Sequence, residues 1–250
     1  MTPGLIGIGV GEEFGKIVQS IPRSRCASRT VCYCSPGTFS GNEGVVWKED
    51  PFPEEALVQD LFLGRLAAAV RGTLPSNSTL AALKRIAGVD HLERAALLET
   101  AAGTQFLLAP VGVDEGWTVD EKVSLVIHAR RLAGHLGLSG DVAILSGGRL
   151  GDAGRHWRVD KSLADAEAVA GITGARHFQI LIEDAIESSS VILAPDGISG
   201  NLIFRTLVFL GSGEGHGAPV MNIERIFVDT SRVTPDYANA LNLADALSEH

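Results

Sequence analysis

The sequence predicts an α/β protein built on mostly parallel sheets. Three observations predict it. Short apolar runs alternate with amphipathic segments along most of the 250 residues, the pattern of strands joined by helices. Several runs end in Gly-, Ser- or Asp-rich turns that lead directly into a helical period. Apolar content of 45% with 20% charged residues suits a globular chain with a sizeable core.

In chain order, Leu5 to Val10 reads as a first strand, followed by Gly11 and an amphipathic helix from Phe14 to Ile21. Gly7, Gly9 and Gly11 form a glycine cluster without the full dinucleotide spacing, so it reads as a tight turn before it reads as a nucleotide or methyl-donor loop. Residues 29–34 form a second strand, with a short third at Val45–Trp47. Pro53, Glu54 and Glu55 open a helix that runs to about Arg65, with acidic side chains where the dipole favours them. Ala67 to Val70 is a buried strand that leads into Arg71–Ser78, and Ser76 or Asn77 would cap a helix over 79–87.

Arg94–Glu99 and Gln105–Val111 read as consecutive, antiparallel strands, and Gly112–Trp117 as a turn. Val119–Leu136 is a long helix. Its His128 and His135, seven residues apart, lack a third ligand and read as surface or packing residues rather than a metal site. Asp141–Leu145 is a strand that opens into 146–158. This loop is the most glycine-dense of the chain and carries Arg149, Arg155 and Arg158. Glycine admits a ligand close to the backbone, and arginine grips phosphate with paired hydrogen bonds.

A helix over 161–172, a strand over 178–182 and a short helix over 184–188 follow. Ser189–Ala194 is a buried strand, Pro195–Asn201 a tight loop, and Leu202 the start of a helix. Such a junction directs amide hydrogens and a positive dipole end towards an anion. Residues 211–217 read as a flexible glycine loop, 219–221 and 225–228 as the last strands, and 234–247 as a closing helix capped by Thr234 with Pro235 at its first position.

The net charge of −9 argues against a general nucleic-acid binder, and no stretch is long and apolar enough to span a bilayer. Three cysteines, Cys26, Cys32 and Cys34, favour a reducing, cytoplasmic setting and small buried packing roles. No basic n-region precedes an apolar segment at the N-terminus, so no secretory signal is expected. No metal site is predicted.

Four loops therefore stand beyond the carboxyl ends of strands, at 71–78, 146–158, 196–201 and 229–234. Together they resemble the phosphate acetyl/butyryltransferase family. Ala194-Pro195-Asp196-Gly197-Ile198-Ser199-Gly200-Asn201 is similar to its F-P-D-x-x-x-G-N, and Val228-Asp229-Thr230-Ser231-Arg232 to its N-D-L-S-R-G. Val70-Arg71-Gly72-Thr73 stands at its V-S-G-A, and Ala143-Ile144-Leu145-Ser146 resembles its A-M-L-S. Within that superfamily the whole chain resembles the methanogenesis-marker branch whose members carry the name methyltransferase subunit X.

The resemblance implies an isocitrate/isopropylmalate-dehydrogenase-like fold with two α/β domains and an interdomain cleft. The first would cover 1–110, completed by 225–250, and the second 111–224. It implies a homodimer, a small anionic ligand, and coenzyme A or a related thiol. It further implies Ser231 and Arg232 as polarising groups, with Asp236 the nearest candidate for a base. Arg71, Thr73, Ser76, Ser146, Arg149, Asp196, Gly200 and Asn201 would bind the anion. The chain departs from the family where its T-x-R gives way to Thr79-Leu80-Ala81, its S-T-K-G to Gly148-Arg149-Leu150-Gly151, and the glycine after Ser-Arg to Val233. An acyl transferase, a methyltransferase or a partner of one, and a non-catalytic ligand-binding subunit are the three functions these features leave.

Overall fold

The computed structural model describes residues 4–38, 45–231 and 234–249. The chain divides into two compact units, residues 1–91 with 216–250, and residues 92–215.

The first unit is built on β1 (Ile6–Val10), β2 (Thr30–Cys34), β3 (Val46–Glu49) and β4 (Ala68–Val70). β1 lies between β2 and β4, and β3 borders β2; all three pairings are parallel. β1 and β4 are apolar or glycine throughout and fully buried, as expected of parallel strands covered on both faces. α1 (Phe14–Ser20) follows β1, α2 (Pro53–Phe62) packs on β1, β2 and β4, and α3 (Ser76–Ala87) packs on α2.

The second unit holds β5 (Ala96–Glu99), β6 (Gln105–Ala109), β7 (Val142–Leu145), β8 (Arg176–Gln179) and β9 (Val191–Leu193) in the order β5-β6-β9-β7-β8. β5 and β6 are antiparallel, and the other pairings are parallel. Its helices are α4 (Val119–His135), α5 (Trp157–Thr173), α6 (Ile182–Ser188) and α7 (Gly197–Phe209). The chain returns through β10 (Glu214–Pro219) to β11 (Ile226–Asp229), which pairs parallel with β4 in the first unit and antiparallel with β10. α8 (Ala238–Ser248) closes the chain against β4, β11 and β1.

Several boundaries differ from the sequence expectation. The glycine run at 211–217 is partly the strand β10, because backbone pairing does not need side chains. α5 begins at Trp157, so Arg158 is helical and the glycine loop is correspondingly shorter. Its cap is the ring of His156, which accepts from the Arg158 N–H at 3.2 Å. α3 begins at Ser76 without a side-chain cap. Thr234 is no cap, since α8 starts only at Ala238. The capping box of α4 is complete, with Thr118 and Glu121 bonding each other's backbone.

The glycines of β1 are required by packing. A Cβ on Gly9 would sit 2.2 Å from Leu74 Cδ1 and 2.5 Å from the Arg71 carbonyl oxygen. That close approach explains the cluster without a nucleotide. The three cysteines are buried thiols. Burial pushes Cys32 up to about 12, which leaves it inert as a nucleophile at neutral pH.

A buried carboxylate ties β2 to α2. Asp60 accepts from Tyr33 Oη at 2.6 Å, Lys48 Nζ at 2.5 Å and Arg65 Nη1 at 2.8 Å. Burial alone would push Asp60 up, but the three donors together hold it below the usual carboxylate range. A carboxylate lowered on folding stabilises above its unfolded value, and that contribution is lost as pH falls through the folded one. Asp60→Asn should therefore be less stable at neutral pH and show a shallower loss of stability on acidification. Urea unfolding from pH 7 down to 3 measures this; an unchanged acid slope would refute the assignment.

Candidate anion-binding loops

In the first unit, the loops after β1, β4 and β11 are stitched together. Arg71 is 4% exposed. Its Nε donates to Asp229 Oδ1 at 2.5 Å and its Nη1 to the Leu74 carbonyl at 2.7 Å. Asp229 Oδ1 also accepts from the Thr230 N–H at 2.8 Å. Thr230 Oγ1 donates to the Gly72 carbonyl at 2.9 Å, and Thr73 Oγ1 accepts from the Gly11 N–H at 2.9 Å. Arg71 and Thr73, expected as anion contacts, are thus buried in bonds that fix the strand ends.

Ser76 is the half-buried first residue of α3. Ser231 follows β11, and its carbonyl accepts from Tyr237 Oη at 3.2 Å. Arg232 lies outside the described residues. Asp236 pairs with Arg23 at 2.8 Å and accepts from the Ala238 N–H at 2.6 Å. Its carboxylate therefore serves the start of α8.

In the second unit, Asp196 caps α7 by accepting from the Ser199 N–H at 2.8 Å. A carboxylate of the chain itself thus occupies the position that the sequence reserves for an anion. Asn201 Nδ2 donates to the Val111 carbonyl at 3.1 Å. A Cβ on Gly200 would fall 1.9 Å from the Pro110 carbonyl oxygen, and one on Gly197 1.5 Å from that of Gly112. These residues seat α7 on 110–115. Beneath them, Glu115 is buried and bonded to Arg94 Nε at 2.5 Å. Burial pushes Glu115 above the usual carboxylate range despite Arg94.

The glycine loop differs in one respect. Arg149 is exposed, and its guanidinium acts on the Asp152 carboxylate by charge attraction. Its backbone is held firmly. Gly147 N–H donates to Ser162 Oγ at 2.8 Å, Arg149 N–H to Asp152 Oδ2 at 2.9 Å, and Leu150 N–H to Gln179 Oε1 at 2.8 Å. Ser146 Oγ donates to the Gly148 carbonyl at 2.9 Å. Arg155 pairs with Asp152 at 2.6 Å, and Arg158 lies over the Trp157 ring. The Arg149 amide and the Arg155 side chain hold Asp152 below the usual carboxylate range. Arg155 is thus engaged within the loop and Arg158 at the start of α5, while the Arg149 head stays exposed.

The sequence reading did not single out His177. It bonds Ser146 Oγ through Nε2 at 2.9 Å and Glu167 through Nδ1 at 2.5 Å. Among the described residues, no group of three or more His, Cys, Asp or Glu side chains is arranged to hold a metal ion. His128 instead contacts Glu93 at 2.5 Å. No described helix is long and apolar enough to cross a membrane.

No family model matches the chain. Among solved structures, a branched-chain phosphotransacylase from Enterococcus faecalis superposes with a TM-score of 0.77 at 14% identity, over 98% of this chain and 99% of that one. A 4-hydroxythreonine-4-phosphate dehydrogenase from Klebsiella pneumoniae gives 0.65 at 10% identity, over 100% and 99%. At such identities the likeness is one of fold. A Methanosarcina mazei protein named "Putative methyltransferase mtx subunit X" is 48% identical over 210 residues, 82% of this chain and 74% of that protein. Identity at that level across most of both chains places this protein in the family of the mtx subunit X proteins, on the α/β fold shared with the phosphotransacylases.

Proposed function

We propose that the protein is a transferase of the phosphotransacylase type, which binds an anionic acyl or phosphorylated ligand and uses coenzyme A or a related thiol. Arg149 carries this reading: an exposed guanidinium on a glycine loop whose backbone is pinned at four points. A held backbone lowers the entropy that a charged contact must overcome, and guanidinium recognises phosphate bidentately. Ser231 and Arg232 are proposed as the polarising pair, the arginine meeting the negative charge that develops on an acyl oxygen. Within the second unit, the α7 N-terminus contributes less than the motif suggests, because Asp196 already takes it.

A second reading has one observation in its favour, the methyltransferase name of relatives that share about half their residues with this chain. In that reading the protein is a methyltransferase or a subunit that partners one. Ligand-dependent melting separates the two, since a ligand bound only by the folded state raises Tm. Coenzyme A and acetyl phosphate should raise it. Stabilisation by S-adenosylmethionine or a corrinoid alone would favour the second reading, and silence from all four would leave a non-catalytic role.

We further propose that two copies associate through α7. Only Gly197 and Gly200 of this helix are buried, while Ile198, Leu202 and the following Leu210 are 48%, 61% and 82% exposed. An apolar helix left in water is expected to find a cover. Leu202→Asp should convert a dimer into a well-folded monomer in light scattering. A monomeric wild type, or a variant that stays dimeric, would contradict this.

A further inference from the structure

Ser146, His177 and Glu167 form one hydrogen-bonded chain from the buried end of β7, across β8, to the surface of α5. Ser146 is 1% exposed and the His177 side chain 7%, whereas the Glu167 side chain is 58% exposed. A carboxylate offers only lone pairs, so Nδ1, 2.5 Å from Glu167 Oε1, carries a hydrogen. Ser146 Oγ lies 2.9 Å from both His177 Nε2 and the Gly148 carbonyl, so one hydroxyl joins the ring to the glycine loop.

The Gly148 carbonyl is thus reached from Glu167 through the ring of His177 and the hydroxyl of Ser146. That carbonyl belongs to the residue before Arg149.

We infer that His177 is a positioning residue which, held by Glu167 and bonded to Ser146, fastens the glycine loop that presents Arg149. Its consequence for ligand binding rests on the reading of Arg149 given above; the fastening itself does not. Of the charged groups on elements packed against β8, Glu167 is the one bonded to the ring. On α5, Lys161 pairs with Asp165, Asp160 accepts from the Gly154 N–H, and Arg158 covers Trp157. On α6, Glu183, Asp184 and Glu187 are exposed; β7 bears no charge, and Arg176 of β8 lies over Phe178.

The test is hydrogen–deuterium exchange of residues 147–154 in the full chain. Protection should fall on the order of tenfold in His177→Ala, which removes the link from Glu167 to Ser146. His177→Gln keeps a donor near the Nε2 position, so its loop should stay protected. Unchanged protection in His177→Ala, or the same fall in His177→Gln, would overturn the inference. Inorganic phosphate supplies the second arm. It should bind His177→Ala more weakly than the wild type, and His177→Gln about as tightly. If phosphate never binds while the exchange profile holds, the functional reading of Arg149 fails and the fastening stands.

Discussion

Arg71→Met is expected to destabilise the protein by about 3–5 kcal/mol, the cost of leaving a buried carboxylate without its partner. Asp229 would lose the Arg71 donor within a site where the Arg71 and Asp229 side chains are 5% and 12% exposed. The melting temperature should fall on the order of 10 °C. Adding Asp229→Asn should recover much of that loss, because the carboxylate charge is then no longer buried. This outcome separates two roles. A guanidinium that merely contacted a ligand would weaken binding when removed and leave Tm unchanged.

Gly200→Ala comes next in expected effect. The new methyl would lie 1.9 Å from the Pro110 carbonyl oxygen and 3.4 Å from Ala194 Cβ. The first neighbour is backbone, so α7 as a whole must shift. Overpacking of this kind costs about 1–3 kcal/mol and sometimes more. The shift would also strain the Asn201 bond to Val111. Chemical unfolding should show the loss, and exchange should localise it to α7 and 110–115. Gly171→Ala on α5, where a Cβ meets nothing within 4 Å, is the control and should be neutral or slightly stabilising. Equal stability of Gly200→Ala and the wild type would mean that α7 is not seated as described.

The mostly parallel α/β architecture was readable because buried strands leave uninterrupted apolar runs. Ile6–Val10, Val142–Leu145 and Val191–Leu193 all appear as such. β10 was not readable, because Glu-Gly-His-Gly-Ala-Pro has neither strand propensity nor alternation and is ordered by its neighbours. α8 begins four residues later than Thr234 because Asp236, not Thr234, meets the first free amide. In the anion loops, the motifs located the right segments but not the fate of each side chain. Arg71 and Arg149 look alike in sequence. Only burial against Asp229 distinguishes the one that builds the loop from the one that faces water. His177 carried no local signal, since its partners lie 31 and 10 residues away.

If Arg149 holds an anion for transfer chemistry, calorimetric titration of Arg149→Ala with coenzyme A and acetyl phosphate will show it. Loss of one charge-assisted contact should weaken binding at least about tenfold, with Tm in the absence of ligand little changed because the side chain is exposed. Arg232→Ala should weaken the same ligand. Affinity preserved in Arg149→Ala would mean that this guanidinium does not hold the ligand.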